Sequence, residues 1–457
     1  MPSTNLFKGG IAVLTLAIIA GIYSVGYIKR VADAYIFGYP LVIMDLTRQI
    51  MEDEWSKEPA RKNNFNHIQS FPDHTFKNVV RPNNDTLYSI AWLDLSNGPL
   101  ILSVPDTNNR HYVIPLMDAW SNVFATVGKR STGTQAGNYI ITGPNSSAGA
   151  PEGVTQISAP TNMVWIIGRI QTNGKADIAA VSELQKSFTL TALDSWQEGQ
   201  VTPSFAENSD TGGSDSDPYH TLTTMPPGVF FQSLSQLINA QPAANTDTAA
   251  LKNLASIGVQ IGEEFDAETL SFFERLLAER AFAITSRTIK EKLNDSSRLE
   301  NGWAVQRDAI GNYGTDYTTR AVVAMIGLGA LPPAEASYPN TVADNQQRAL
   351  TGKHQYRIHF AADALPPVDA FWSLSMYDED GFFIANPINR YALGDRDALH
   401  YNSDGSLDLF IQQTQPATGT TNWLPAPTGK FALTMRLYSP KESFLNGSWK
   451  LPSVERI

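Results

Sequence analysis

The sequence predicts a mainly β protein with added helix: two tandem antiparallel β-sandwich or jelly-roll-like domains, joined by a helical segment and preceded by one N-terminal transmembrane or signal helix. Three observations carry this. Short alternating apolar runs bounded by Asp-Gly and Asn-rich turns recur in both halves of the chain, as antiparallel sandwiches require. Between those halves, several stretches within 229–327 place apolar residues at three-to-four spacing, the period of a helix with one buried face. Residues 11–28 carry no charge, and their length is close to the ~20 residues that cross a bilayer.

In chain order, the uncharged run comes first, in a segment 1–30, with Lys8 before it and Lys29-Arg30 after it. It is long for a signal-peptide core, and Ile18-Ile19-Ala20 is its best cleavage pattern, so an uncleaved anchor leads over a cleaved signal and a buried helix. Basic residues on both sides give the positive-inside rule little to choose between. The expected location is the inner membrane facing the periplasm, or export after cleavage. Residues 31–55 continue as a helix, with Ala34, Phe37, Leu41, Met44 and Ile50 on its apolar side. Pro40 should kink or divide it.

The N-terminal β-rich domain is expected over 31–200, with strands at 87–95, 100–104, 111–119, 123–127, 138–142 and 162–170, and a helix near 177–188. An acidic, Gly- and Ser-rich loop at 207–219 opens a connector, 201–335, whose helices fall at 229–238, 246–257, 267–293 and 318–327. The C-terminal sandwich is expected over 336–457. There a strand at 371–377 meets the turn Asp378-Glu379-Asp380-Gly381 and returns at 382–384. Residues 399–402 run through a second Asp-Gly turn into a strand at 407–411, and 431–438 puts Phe431, Leu433, Met435 and Leu437 on one face.

At 457 residues and 42% hydrophobic content, two or three domains with substantial cores are expected. A net charge of −11 without any basic block argues against nucleic acid as a partner. Zero cysteines exclude disulfides and thiolate metal sites. HExxH, G-x-S-x-G, GxGxxG and Walker A patterns are absent, and no cofactor is expected. No metal is expected either. His67 and His74 lie seven apart in a loop, and strand alternation puts His354 and His359 on opposite faces. Asp404, Ser406 and Asp408 lack the spacing and closing glutamate of a calcium loop.

Three stretches, NPINRYALGDRD (386–397), NSDGSLDLFIQ (402–412) and NWLPAPTGKFALTMRLYSP (422–440), together with the terminal WKLP, resemble a bacterial two-domain family. Its halves are known only as the domains of unknown function 1254 (N-terminal) and 1214 (C-terminal). AYIFGYPLVIMDLTRQIM and RPNNDTLY are similar to the opening and the clearest motif of the first half. The resemblance implies two tandem β-sandwich-like domains with helices between them, and no settled activity. Export signals, common in this family, favour placing the bulk of the chain outside the cytoplasm.

Three constellations could carry chemistry. Arg81, Asn84, Asp85 and Tyr88 lead into a strand, just after His67, Asp73 and His74. They fit an acid–base or ligand set at a sandwich mouth, or a capped turn in which Arg81 pairs with Asp85. His111-Tyr112, then Asp118, Trp120 and Asn122, with Arg130 downstream, fit a sugar-binding edge where an aromatic face stacks, or core packing of Trp120. Asn386, Asn389, Arg390, Asp395, Arg396 and Asp397 fit an anion site using Arg390 and Arg396, or a loop fixed by Arg–Asp pairs. The expected function is therefore an envelope protein, tethered through 11–28 or exported, that binds a glycan or small polar ligand. The alternative is a hydrolase of a polar or sugar-like substrate with Asp85, Tyr88 and Asp118 as its acid–base set. Exposed aromatic surface adds the expectation of a homo-oligomer.

Overall fold

The computed structural model describes residues 3–54, 61–76, 81–207, 217–295 and 298–457, with side chains of the first helix described from residue 21. Most of the acidic loop at 207–219, and residues 11–20 of the uncharged run, lie outside the described side chains. Among the described residues, 21 strands form four sheets, accompanied by nine α-helices. No described helix is long and apolar enough to cross a membrane.

The chain divides into a helical unit (Met1–Gln49, Ser216–Leu293, Tyr313–Leu328) and a β-rich unit (Ile50–Asp215, Asn294–Asn312, Gly329–Ile457). In the helical unit the first helix, Ser3–Glu54, runs unbroken through Pro40. The proline costs a hydrogen bond, yet the turn around it is held by burial: Tyr39, Leu41 and Val42 are all in the core. The Tyr35 ring lies 5.0 Å from that of Phe230 and 4.2 Å from that of Phe282. Phe230 belongs to helix Pro227–Ala240, and Phe282 to helix Phe272–Asp295. Gly38 permits the close approach, because a Cβ there would fall 2.6 Å from Leu234.

In the β-rich unit the N-terminal part has two sheets. One runs Phe205–Glu207, Asn66–Ile68, Thr86–Asp94, Met163–Gln171, Tyr112–Asp118, Val123–Gly128; the other runs Thr155–Ser158, Gly137–Thr142, Leu100–Val104, Thr189–Ala192. One buried cluster draws Leu87, Leu116 and Ile166 from the first and Leu102, Ile141 and Leu190 from the second. The C-terminal part repeats the plan, with Leu374 and Met435 of one sheet and Ile358 and Leu409 of another in a single core. The expected antiparallel pairing holds for most neighbours, but three edge pairs are parallel: Asn66–Ile68 with Phe205–Glu207, Gly137–Thr142 with Thr155–Ser158, and Leu407–Gln412 with Trp423–Pro425.

Two expected strands do not form. Residues 382–384 are loop, because the Asp378 side chain accepts from the Phe382 amide (2.8 Å) and Phe383 stacks between Tyr377 (5.2 Å) and Tyr391 (4.9 Å). The return strand starts later, at Ala392–Gly394. Residues 399–402 are also loop: the Asn422 amide exchanges hydrogen bonds with the His400 backbone (2.8 and 2.7 Å), replacing a strand neighbour.

Candidate functional site

Strands Thr86–Asp94 and Met163–Gln171 pair in register from Thr86 opposite Gln171 to Asp94 opposite Met163. One residue before this ladder, the Asp85 carbonyl accepts from the Thr172 amide (2.9 Å). The Asn83 side chain caps the turn, accepting from the amides of Asp85 (2.9 Å) and Thr86 (3.0 Å). That cap directs the Asp85 carboxylate inward, where Asp85 is 1% exposed.

A carboxylate so buried must be paired. Arg396 Nη2 donates to Asp85 Oδ1, and Arg396 Nη1 donates to the carbonyls of Asp85 and Thr172 (2.9 Å each). Ser373 Oγ donates to Asp85 Oδ2 (2.7 Å), and the Tyr438 hydroxyl donates to the same oxygen (3.3 Å). The Arg396 guanidinium also lies over the Phe371 ring, 4.1 Å from its centroid. Asp85 therefore belongs to an ion pair joining the two sheet systems of the β-rich unit. Its partner is Arg396 and not Arg81.

Three local features of ALGDRD put Arg396 there. A Cβ at Gly394 would lie 2.1 Å from the Trp372 carbonyl oxygen, so only glycine lets the short strand pair this closely. Asp397 Oδ2 accepts from the Gly394 amide (2.8 Å), closing the turn. Arg396 then projects back across strand Val368–Tyr377 toward Asp85.

A second arginine lies behind the first. Arg436 Nη2 donates to the carbonyl of Arg81 (2.8 Å) and to the Tyr377 hydroxyl (2.7 Å), and Tyr377 donates to the Pro82 carbonyl (2.6 Å). Burial opposes the Arg436 charge, but Tyr377, whose hydroxyl oxygen accepts from it, and the Asp85 carboxylate outweigh burial and hold the pKa well above the ordinary value. Burial, then the Asp85 charge, push the Tyr438 hydroxyl well up, so it stays protonated and serves as a donor. His111 packs edge-on against Phe371 (5.7 Å) and Tyr438 (6.3 Å), and neither ring nitrogen has a hydrogen-bond partner. Burial first, then the Lys129 and Arg396 charges, bring its pKa down to about 4.

The Arg81 guanidinium donates to the Asn340 side-chain oxygen. The Asn84 amide, oriented to satisfy both ends, donates to the Pro72 carbonyl (2.9 Å). The Tyr88 hydroxyl accepts from Asn83 Nδ2, and Arg169 lies 5.4 Å from its ring centroid. Asp118 caps a turn, accepting from the amides of Trp120 (2.9 Å) and Asn122 (2.8 Å) and from Asn122 Nδ2 (3.0 Å to its second oxygen). Trp120 is core at 3% exposed, so it has no face to stack on a sugar. Arg390 Nη1 donates to the Trp423 carbonyl (2.9 Å), and Asn386 clamps the Arg390 backbone, so this guanidinium braces a loop.

Asp85 and Asp118 do not share a site. Asp85 pairs at Thr172, while Asp118 lies opposite Val164 on the same strand. Eight residues of strand at ~3.3 Å each put them roughly 25 Å apart.

An open polar groove of about 460 Å³ lies near the Asp85 end of that strand, between the 106–110 turn and the segment after Gln171. Asn108, Asn109, Gln171 and Asn173 line it with amides, Gln171 Nε2 donating to Asn173 Oδ1 (2.9 Å), and Asp106 and Thr107 add oxygens. Asn108 and Asn109 both adopt positive φ (51° and 63°), a region that asparagine enters more readily than most side chains. Arg110 makes a two-pronged pair with Asp177 (2.5 and 3.0 Å) and donates to the Gln171 carbonyl (2.8 Å). Burial opposes the Asp177 charge, but Arg110 and the Asn173 amide outweigh it and hold the carboxyl below its usual range. Sequence reasoning passed over this groove, because PDTNNR reads as an ordinary turn. It also passed over Ser373, Tyr377, Arg436 and Tyr438, which lie within apolar strand patterns.

No curated protein matches the chain. A crystal structure of a protein from Vibrio parahaemolyticus is 24% identical, covers 94% of this chain and 100% of its own, and superposes with a TM-score of 0.68, so the fold is shared. A crystal structure of an uncharacterized protein from Burkholderia cenocepacia, 10% identical over 98% of each chain, gives a TM-score of 0.46. Residues 62–192 match the model described as Protein of unknown function (DUF1254), and residues 335–442 match that described as DUF1214. The Asp85–Arg396 pair joins one matched segment to the other, and the chain belongs to the family that unites these two domains of unknown function.

Proposed function

We propose that this is an envelope protein, tethered through residues 11–28 or exported, whose two β-sandwich-like halves form one body that binds a small hydroxyl-rich ligand such as a glycan. The observation that carries the reading is the groove of about 460 Å³ lined by Asn108, Asn109, Gln171 and Asn173. Amides both donate and accept, which suits vicinal hydroxyls that do the same. Arg110, held in place by Asp177, adds a fixed cationic group at the wall. Hydrolysis through Asp85, Tyr88 and Asp118 has less behind it. Both oxygens of Asp85 are occupied, Asp118 caps a turn, and roughly 25 Å separates them.

Calorimetry with a panel of mono- and oligosaccharides tests the proposal. Asn173→Ala removes an exposed lining amide and should weaken binding about tenfold, near 1.4 kcal/mol for one or two lost hydrogen bonds. Its melting temperature without ligand should change little, because the one side-chain bond lost, from Gln171 Nε2 (2.9 Å), is exposed to water. Failure of every sugar to bind at millimolar concentration, or equal binding by the variant, would overturn the assignment.

A further inference from the structure

The helical unit carries an apolar collar at the point where its first helix leaves the packed body. Among the described side chains of that helix, burial begins at Tyr27 and Val31, whereas Ile22, Tyr23 and Val25 are exposed at 68%, 45% and 71%. Beside them lies the first turn of helix Phe272–Asp295, located by the Tyr23 hydroxyl, which donates to Glu274 Oε1 (3.2 Å). That turn exposes Phe272 at 85%, Phe273 at 47% and Leu276 at 52%, while Leu277, Ala278 and Phe282 face the core. Two neighbouring helices thus present large apolar side chains to the outside around one hydrogen bond.

What covers this collar follows from its place on the helix. The exposed residues Ile22 and Val25 belong to the uncharged run 11–28 and to the same continuous helix, Ser3–Glu54. If the run ends at the hydrocarbon boundary near Ile28, Tyr23 lies five residues inside it, about 7.5 Å along the axis at 1.5 Å per residue. That is within the ~5–10 Å to which apolar faces of interfacial helices sink. The two charged side chains of this turn are both hydrogen-bonded. Glu274 turns its oxygens to Tyr23 and to the Ser271 hydroxyl (2.6 Å), and Arg275 reaches back to the Leu270 carbonyl (3.2 Å). Lys29 stands just beyond, paired with Asp33 (2.7 Å), where a headgroup layer would begin.

We propose that the collar of Ile22, Val25, Phe272, Phe273 and Leu276 is a lipid-facing surface that beds the helical unit into the outer part of the bilayer. The inference rests on the tether reading of residues 11–28. It adds that the start of helix Phe272–Asp295, far away in sequence, is also in the lipid. Tyr23 at this depth restricts tilt of the body on its tether, as tyrosine and tryptophan anchors do at membrane interfaces.

The absence of native cysteine permits a direct test with the full chain. Single variants Phe272→Cys, Leu276→Cys and Leu14→Cys are labelled with an environment-sensitive fluorophore. Each is reconstituted into phosphatidylethanolamine–phosphatidylglycerol vesicles and quenched by shallow spin-labelled lipid or by aqueous iodide. The expected result is quenching by lipid at 272 and 276, with iodide access at least about twofold lower than before vesicles are added. Leu14 should also be quenched by lipid. Lipid contact at 14 with undiminished iodide access at 272 and 276 would overturn the collar and leave the tether standing. Iodide access at all three positions would overturn the tether as well. Protection at 272 and 276 from both quenchers would mean that a second copy covers the face, and would overturn the lipid assignment. Phe272 and Leu276 are both exposed, so the labels test the surface without disturbing the core.

Discussion

Arg396→Met is the sharpest test of the polar centre. The substitution keeps most of the aliphatic stem over Phe371 and removes the guanidinium that reaches the Asp85 carboxylate and two backbone carbonyls. Asp85 is left with Ser373 at 2.7 Å and Tyr438 at 3.3 Å, both neutral donors. Removing one partner of a buried pair costs ~3–5 kcal/mol. The Asp85 side chain is 1% exposed, so water does not screen its charge, while Arg396 is 15% exposed and the two hydroxyls persist. The lower end, about 3 kcal/mol, is therefore expected. The measurement is guanidinium-induced unfolding of the β-rich unit, followed by tryptophan fluorescence. The double variant Asp85→Asn/Arg396→Met should be less destabilised than Arg396→Met alone, because no unpaired charge is left buried. A loss below about 1 kcal/mol for Arg396→Met, or simple additivity in the double variant, would refute the pairing argument.

Three further outcomes follow from the same geometry. His111 and His67 are both pulled down by burial to about 4. The unfolded chain takes up their protons first as pH falls through ~6.5, so stability rises with pH between about 4 and 6.5 and is lost on acidification. Each should cost roughly 2 kcal/mol at pH 5 relative to pH 8, and His111→Leu should flatten that slope in urea unfolding series. Gly394→Ala forces a Cβ to 2.1 Å from the Trp372 carbonyl oxygen; separating the strands should cost about 2–3 kcal/mol and displace Arg396, seen as a raised unfolding rate. Asp118→Ala removes the acceptor for two turn amides and should cost ~1–3 kcal/mol in melting experiments. Sugar affinity should not change, because the groove lies near the other end of the strand.

Periodicity and turn chemistry carried much of this protein in its sequence. The strands Leu100–Val104, Thr86–Asp94 and Leu407–Gln412 and the helices Pro227–Ala240 and Tyr317–Ile326 lie within a few residues of where alternation or three-to-four spacing puts them, because each buries a face against a neighbour. The family motifs RPNND and ALGDRD were also legible as special segments. Their partnership was not. Asp85 and Arg396 are 311 positions apart, and a charge in a linear pattern carries no address for its partner. Only the folded sheets bring both to one buried point, where the cost of desolvation requires the pairing. Arg436 and Tyr438 stayed hidden for a related reason. The alternation of Phe431, Leu433, Met435 and Leu437 assigns one inward face, whereas every residue of Ala432–Pro440 is buried. Whether the second face of a strand meets water or another sheet is decided by tertiary packing alone.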